Sequence, residues 1–154
     1  MSGKMLRIAS RPLGPHGSQF RRPRPALQRR RDPTKRAVQL QDAAALIYLD
    51  PSRTREQIIL HAAHQFVEGD VLHWWHPPAS RGIRTRFSDD LVWLPYAVCV
   101  YVNATGDDAL LDEPAPFLTA RALEPGEDEA FLEPADSGKR ASVYEHCCRA
   151  LDRS

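Results

Sequence analysis

Apolar positions recur at helical spacing from residue 39 onward. Leu40, Ala43, Ala44, Ile47 and Tyr48 mark a short amphipathic helix that stops at Asp50-Pro51. Asp50 is a candidate N-cap, and Pro51 occupies the first helical position, where a missing N–H is no loss. Ile58, Ile59, Ala62, Ala63, Phe66 and Val67 then predict a second helix over residues 51–67, ending near Gly69. Residues 70–87 follow neither the helical nor the strand period and are expected to form a long ordered loop. At Ser88-Asp89-Asp90 a third helix opens, with the Ser88 hydroxyl as cap and both carboxylates at the positive end of the dipole. The β-branched run 98–102 argues for a strand, but length and near-continuous hydrophobicity favour a buried helix to Gly106, kinked at Pro95. A helical turn at 107–111 and an acidic, proline-containing stretch over 113–138 follow. Ser142 with Glu145 then forms a capping box for a last helix whose apolar face is Val143, His146, Cys147, Ala150 and Leu151. Four helices, long loops and no strand predict an all-α fold. The last helix has no closing cap before Ser154, so the chain is expected to be truncated.

Composition divides the chain in two. Residues 1–41 carry eleven Lys or Arg against one acid, whereas residues 42–154 carry ten against nineteen, so the formal charge of +1 hides two unlike segments. Residues 1–37, proline-rich and studded with Arg29-Arg30-Arg31, offer little to bury and are expected to be a disordered basic arm. Residues 38–154 form the folded part. With 154 residues, the chain has room for one ordinary domain. No apolar run approaches the roughly 18 residues that cross a bilayer. Nor does the start resemble a signal peptide, so a cytoplasmic location is expected. Cys99, Cys147 and Cys148 have neither disulfide-framework nor zinc spacing; they are expected to be reduced thiols, with Cys99 in the core.

The segment from His73 to Asp90 concentrates the chemistry. Indole faces stack on the apolar faces of sugar rings, and carboxylates and guanidinium groups hold hydroxyls in fixed geometry, so this mixture suits a carbohydrate pocket. The plainer alternative is that the tryptophans plug a core while Arg84 or Arg86 pairs with Asp89 or Asp90 to staple a loop. Adjacent carboxylates do not make a glycosidase dyad, which requires separations of roughly 5 to 10 Å set by the fold. The pairs His61/His64 and His73/His76 supply two metal ligands each without a third at a telling distance, so no metal is expected. Glycine-rich phosphate loops and a nucleophile elbow are missing from the sequence. The basic arm leaves one competing function, a non-enzymatic module that binds nucleic acid or an acidic partner through phosphate-type contacts. Against it, Phe20 is the arm's lone aromatic for base stacking.

Several separated motifs occur in one order: Gln39-Leu40-Gln41-Asp42, residues 65–71, His73-Trp74-Trp75-His76-Pro77-Pro78, residues 81–86, residues 88–96 and Tyr144-Glu145-His146-Cys147. Together they resemble the phosphorylase-like domain of cyclic β-1,2-glucan synthases, which belongs with cellobiose and chitobiose phosphorylases in glycoside hydrolase family 94. The resemblance implies part of an (α/α)6 helical toroid acting on a β-glucan or β-glucoside. It implies inverting chemistry in which an Asp protonates the glycosidic oxygen while inorganic phosphate, a co-substrate rather than a cofactor, attacks the anomeric carbon. Asp42, Trp74, Trp75, His76, Arg84, Arg86, Asp89 and Asp90 match substrate-positioning positions. None matches the general acid, which the family carries in a Gly-Asp-Trp-Asn-Asp-like motif downstream of the Tyr-Glu-His-Cys helix, so this chain is expected to be inactive alone. A partner chain supplying the rest of the toroid is a further expectation, and intact cyclic glucan synthases are inner-membrane proteins. Family members also carry a Gly-[Phe/Tyr]-Arg-Asp segment before Gln-Leu-Gln-Asp, where this sequence has Arg36-Ala37-Val38. The upstream arm is therefore read as a replacement sequence, from a shifted frame or a misassigned start.

Overall fold

The computed structural model describes residues 40–77 and 81–154, so the expected disordered arm lies outside the described residues. The elements are α1 (Leu40–Ala45), α2 (Pro51–Ala62), β1 (Leu72–His76), β2 (Arg81–Thr85), α3 (Ser88–Thr105), a 3₁₀ turn (Asp108–Asp112), β3 (Pro114–Thr119), β4 (Glu129–Leu132), β5 (Ala135–Ser142) and α4 (Val143–Arg153). All four predicted helices are present, yet the fold is mixed α/β. Five strands form two antiparallel sheets, β1-β2-β4 and β3-β5, and these overturn the expectation of an all-α fold and of a partial (α/α)6 toroid.

Helix boundaries follow their capping chemistry. The Asp50 side chain accepts from the Arg53 N–H at 3.2 Å, and Ser142 accepts from the Glu145 N–H at 3.2 Å. Only that half of the capping box forms, because the Glu145 carboxylate pairs with Arg149 one turn on, at 3.1 Å. At the C-terminus of α3, Gly106 takes the left-handed conformation, φ 71°, that lets its N–H bond to Val102 O. Phe87, not Ser88, is the N-cap of α3, and it makes no side-chain capping bond. The helix α2 stops at Ala62, earlier than the apolar stripe predicts, because Gln65 and Phe66 are drawn into bridges with Val71 and Leu118.

The main core joins all four helices through Leu40, Ile47, Ile58, Leu94, Val98, Leu110, Val143 and Cys147. A second core of Phe66, Leu72, Trp75 and Leu118 lies between the end of α2 and the strands. Cys99, expected inside, is exposed on α3, and all three cysteines are free. Among the described residues no helix is long and apolar enough to cross a membrane.

Residues 70–87, expected to be a loop, hold the β1–β2 hairpin. Gly82 stands opposite Trp75 at its centre. A Cβ there would lie 2.1 Å from the Trp74 carbonyl oxygen and 2.9 Å from Trp75 Cα, both backbone atoms that cannot rotate away. Gly82→Ala is therefore expected to lower unfolding free energy by about 1–3 kcal/mol, the scale of overpacking, measured as a shift in the urea midpoint. An unchanged midpoint would show that the hairpin yields freely at this point.

Candidate functional site

Three elements meet around one cleft: α1 contributes Leu40 and Gln41, β1 with its lead-in contributes Val71, Leu72, His73 and Trp75, and α3 contributes Asp89, Asp90, Trp93 and Leu94, with His61 from α2 at the edge. Its volume is about 100 Å³. Trp75 is the floor. His64 stacks on its indole at 3.9 Å between ring centroids, and His61 meets it edge-on at 5.0 Å. Both imidazoles are fixed by carbonyls of α2, since Nδ1–H of His61 donates to Gln57 O at 2.8 Å and Nδ1–H of His64 to Leu60 O at 2.7 Å. Burial pushes the His61 pKa down to about 4 and lowers that of His64, so both rings are neutral at pH 7 and Nε2 of His61 is an acceptor.

Asp90 sits at the start of α3 with its carboxylate committed to two donors. His73 Nδ1 lies 2.9 and 3.0 Å from its two oxygens, and the Thr85 hydroxyl donates at 2.7 Å. Asp89, one residue earlier, is exposed at the rim. The polar lining thus consists of Gln41, His61, His73, Asp89 and Asp90, beside the indole of Trp93. No Lys or Arg lines the cleft among the described residues. Such a lining accepts hydrogen bonds from neutral hydroxyls and disfavours a phosphate, which needs cations or clustered N–H donors.

Of the eight residues singled out from the sequence, the structure brings Trp75, Asp89 and Asp90 into this cleft. Asp42 is exposed on α1, beside Gln41 but outside the lining. Trp74 and His76 lie on the other side of β1, where Trp74 packs near Phe131 of β4 at 6.0 Å and His76 meets Trp74 edge-on at 5.0 Å.

Arg84 is buried at 1% exposure, and its guanidinium is held by Asp70 at 2.6 and 2.7 Å, by Glu68 at 3.1 Å and by Arg121 O at 2.9 Å, over the Phe66 ring. Arg86 donates to the carbonyls of Leu123, Glu124 and Glu127, tying down the segment before β4. Neither arginine pairs with Asp89 or Asp90, so the stapled loop that the sequence also allowed is built with other partners.

Sequence reasoning passed over His73, Gln41 and Trp93 as site residues. His73 stands inside the chemically dense segment, but its pairing with Asp90 depends on the hairpin. His146, expected to be a packing residue, is fully buried; its Nδ1 lies 2.7 Å from Gln65 Oε1, its Nε2 lies 3.2 Å from Ala115 O, and its ring stacks on Phe117. Among the described residues no group of three His, Cys, Asp or Glu side chains is placed to hold a metal.

A family model described as "Glycosyl hydrolase 94 superfamily, catalytic domain" matches residues 36–154. The chain is 49% identical over 114 residues to the cyclic beta-(1,2)-glucan synthase NdvB of Rhizobium meliloti (strain 1021), covering 74% of this chain and 4% of that protein. It is 29% identical over 139 residues to the N,N'-diacetylchitobiose phosphorylase of Vibrio proteolyticus, covering 74% of this chain and 15% of that protein. To a cellobionic acid phosphorylase of Neurospora crassa it is 27% identical over 124 residues, covering 73% and 12%. The chain therefore spans only a small part of the relatives it matches.

Proposed function

Since this chain belongs to the glycosyl hydrolase 94 family, within its catalytic domain, we propose that it is a substrate-binding part of a domain acting on β-linked glucans, through cyclic β-1,2-glucan synthesis or inverting phosphorolysis. One observation carries the reading: a cleft walled by Trp75 and Trp93 whose polar groups are amide, imidazole and carboxylate, with no Lys or Arg among the described residues. That lining matches a glucosyl ring, which offers hydroxyl donors around an apolar face. Trp75 and Asp89 meet the sugar, whereas Arg84 and Arg86 hold the scaffold beneath it.

The 154-residue chain binds without turnover. Neither cleft carboxylate is placed as a proton donor, because the oxygens of Asp90 accept from His73 and Thr85 and Asp89 faces water. The sequence contains no Gly-Asp-Trp-Asn-Asp motif, and in this reading the attacking phosphate is held by residues other than those lining the cleft.

Titrating the chain with methyl β-D-glucoside or a β-1,2-linked glucose disaccharide should give saturable shifts of the Trp75 and Trp93 indole N–H signals in nitrogen-proton spectra. Dissociation constants on the order of millimolar are expected for so small an open site. Inorganic phosphate should leave those signals unmoved, and no glucose-1-phosphate should form. Shifts with phosphate but not with sugar would overturn the binding reading, and turnover by the purified chain would overturn its inactivity.

A further inference from the structure

We propose that His73 is the side chain that fixes the orientation of a sugar hydroxyl in the cleft, and that Asp90 acts through His73 instead of touching the ligand; this rests on the saccharide reading of the cleft. Asp90 is thus a positioning residue and His73 a binding contact.

Three observations carry this. The first is the β1 register: Leu72 pairs with Arg84 and Trp74 with Ile83, so His73 is the extra residue of a bulge. A bulge re-aims the side chain it carries, and here His73 lines the cleft together with Trp75. The second is the pairing with Asp90. An ionised carboxylate only accepts, so a proton sits on Nδ1 of His73, and Nε2, which faces no protein partner in the pairing, is the ring nitrogen that can meet a hydroxyl, as acceptor in the Nδ1–H tautomer. The third is the support behind the pair. Thr85, buried at 6% exposure, donates to Asp90, and its oxygen is oriented in turn by the Phe87 N–H at 3.4 Å. The Phe87 ring stands perpendicular to the imidazole at 5.5 Å.

Such a chain of partners locks one tautomer and one ring orientation, which is what selective hydrogen bonding to a hydroxyl requires. A charged residue serving only the helix N-terminus would need none of it. Sequence position alone would have assigned Asp90 the direct contact, as a carboxylate beside Asp89. The geometry gives that contact to the imidazole instead, leaving Asp89 as the carboxylate open to ligand.

The test uses the full chain with methyl β-D-glucoside as probe. Imidazole nitrogen shifts should show the Nδ1–H tautomer for His73, and sugar should move its Nε2 signal in step with the Trp75 indole signal. Asp90→Asn should abolish the tautomer preference and weaken binding up to about tenfold, the scale of one lost hydrogen bond, and His73→Ala should weaken binding by a similar factor. His73→Gln, which keeps an acceptor at similar reach, should recover part of the affinity. A Trp75 response to sugar with the His73 nitrogens unmoved would overturn the proposal while leaving the saccharide site intact. Unaltered affinity in Asp90→Asn would do so too. No response at Trp75 or Trp93 would overturn the saccharide reading and this inference with it. The ligand titration of unaltered His73 keeps the test valid should a variant fail to fold.

Discussion

Replacing Arg84 with methionine is expected to lower unfolding free energy by about 3–5 kcal/mol, the cost of leaving a buried charge without its partner. Arg84 is buried, and the Asp70 carboxylate that grips it has a side chain only 11% exposed. Removing the guanidinium strands that carboxylate, vacates the space over Phe66 at 4.0 Å and frees Arg121 O. Arg84→Lys restores the charge but not the two-pronged grip on Asp70, so it should recover only part of the loss. Changing Asp70 to asparagine in the methionine variant should return part of the stability, because the orphaned charge is then gone. Urea denaturation of the four proteins measures this. A loss below about 1 kcal/mol for Arg84→Met would mean that solvent reaches the cluster and that the ion pair contributes as an exposed one. The same series separates scaffold from ligand contact, since a residue acting on sugar alone would alter affinity and leave the midpoint unmoved.

Acidification from pH 7 to pH 5 should also destabilise the fold, through the two histidines that hold Trp75. In the unfolded chain an imidazole titrates near 6.5, whereas burial holds His61 down to about 4 and lowers His64. Between those values the unfolded state binds protons that the folded state refuses. Stability is therefore full above about pH 6.5 and falls as the pH drops toward the folded value. His61 alone should contribute about 2 kcal/mol of loss between pH 7 and 5, and His64 adds to it. The window stops above the range where ordinary carboxylates protonate. Urea midpoints at pH 7 and pH 5 measure the slope, and replacing both histidines with glutamine should reduce it, leaving the part that comes from buried His146, whose pKa burial also lowers. Equal midpoints for the unaltered chain at both pH values would show that the imidazoles accept protons in the folded state.

The helices were legible because their signals are local. Asp50-Pro51, Gly106 and Ser142 are caps whose chemistry acts within four residues, and each marks a boundary that the structure keeps. The strands carry no comparable signal. In β1 the bulge at His73 breaks the alternation, and in β2 the buried position Arg84 looks exposed because its partner Asp70 lies across the hairpin. Pro114 and Pro116 argue against β3, but a two-stranded sheet has only edges, where proline is tolerated. Along β5, residues 136–140 have no apolar face; Asp136 and Arg140 pair with Leu118 and Pro116 of β3, while Ser137, Gly138 and Lys139 fall in the irregularity between them, with Gly138 at φ 72°. The site was partly legible for the same reason. Trp75, Asp89 and Asp90 announce their chemistry by type, whereas the role of His73 arises only when the bulge turns it toward α3.

Gln65 gives the domain an order of assembly. Its buried amide donates to Gly69 O and to His146 O, a residue 81 positions later, and its oxygen lies 2.7 Å from Nδ1 of the His146 ring. The turn that leads into β1 is held by Leu118 and Arg84, and it gains the Gln65 amide bonds only once residues 143–153 have been synthesised. Closure of this network joins residues 81 positions apart, so it is a long-range step that follows the quick formation of the helices.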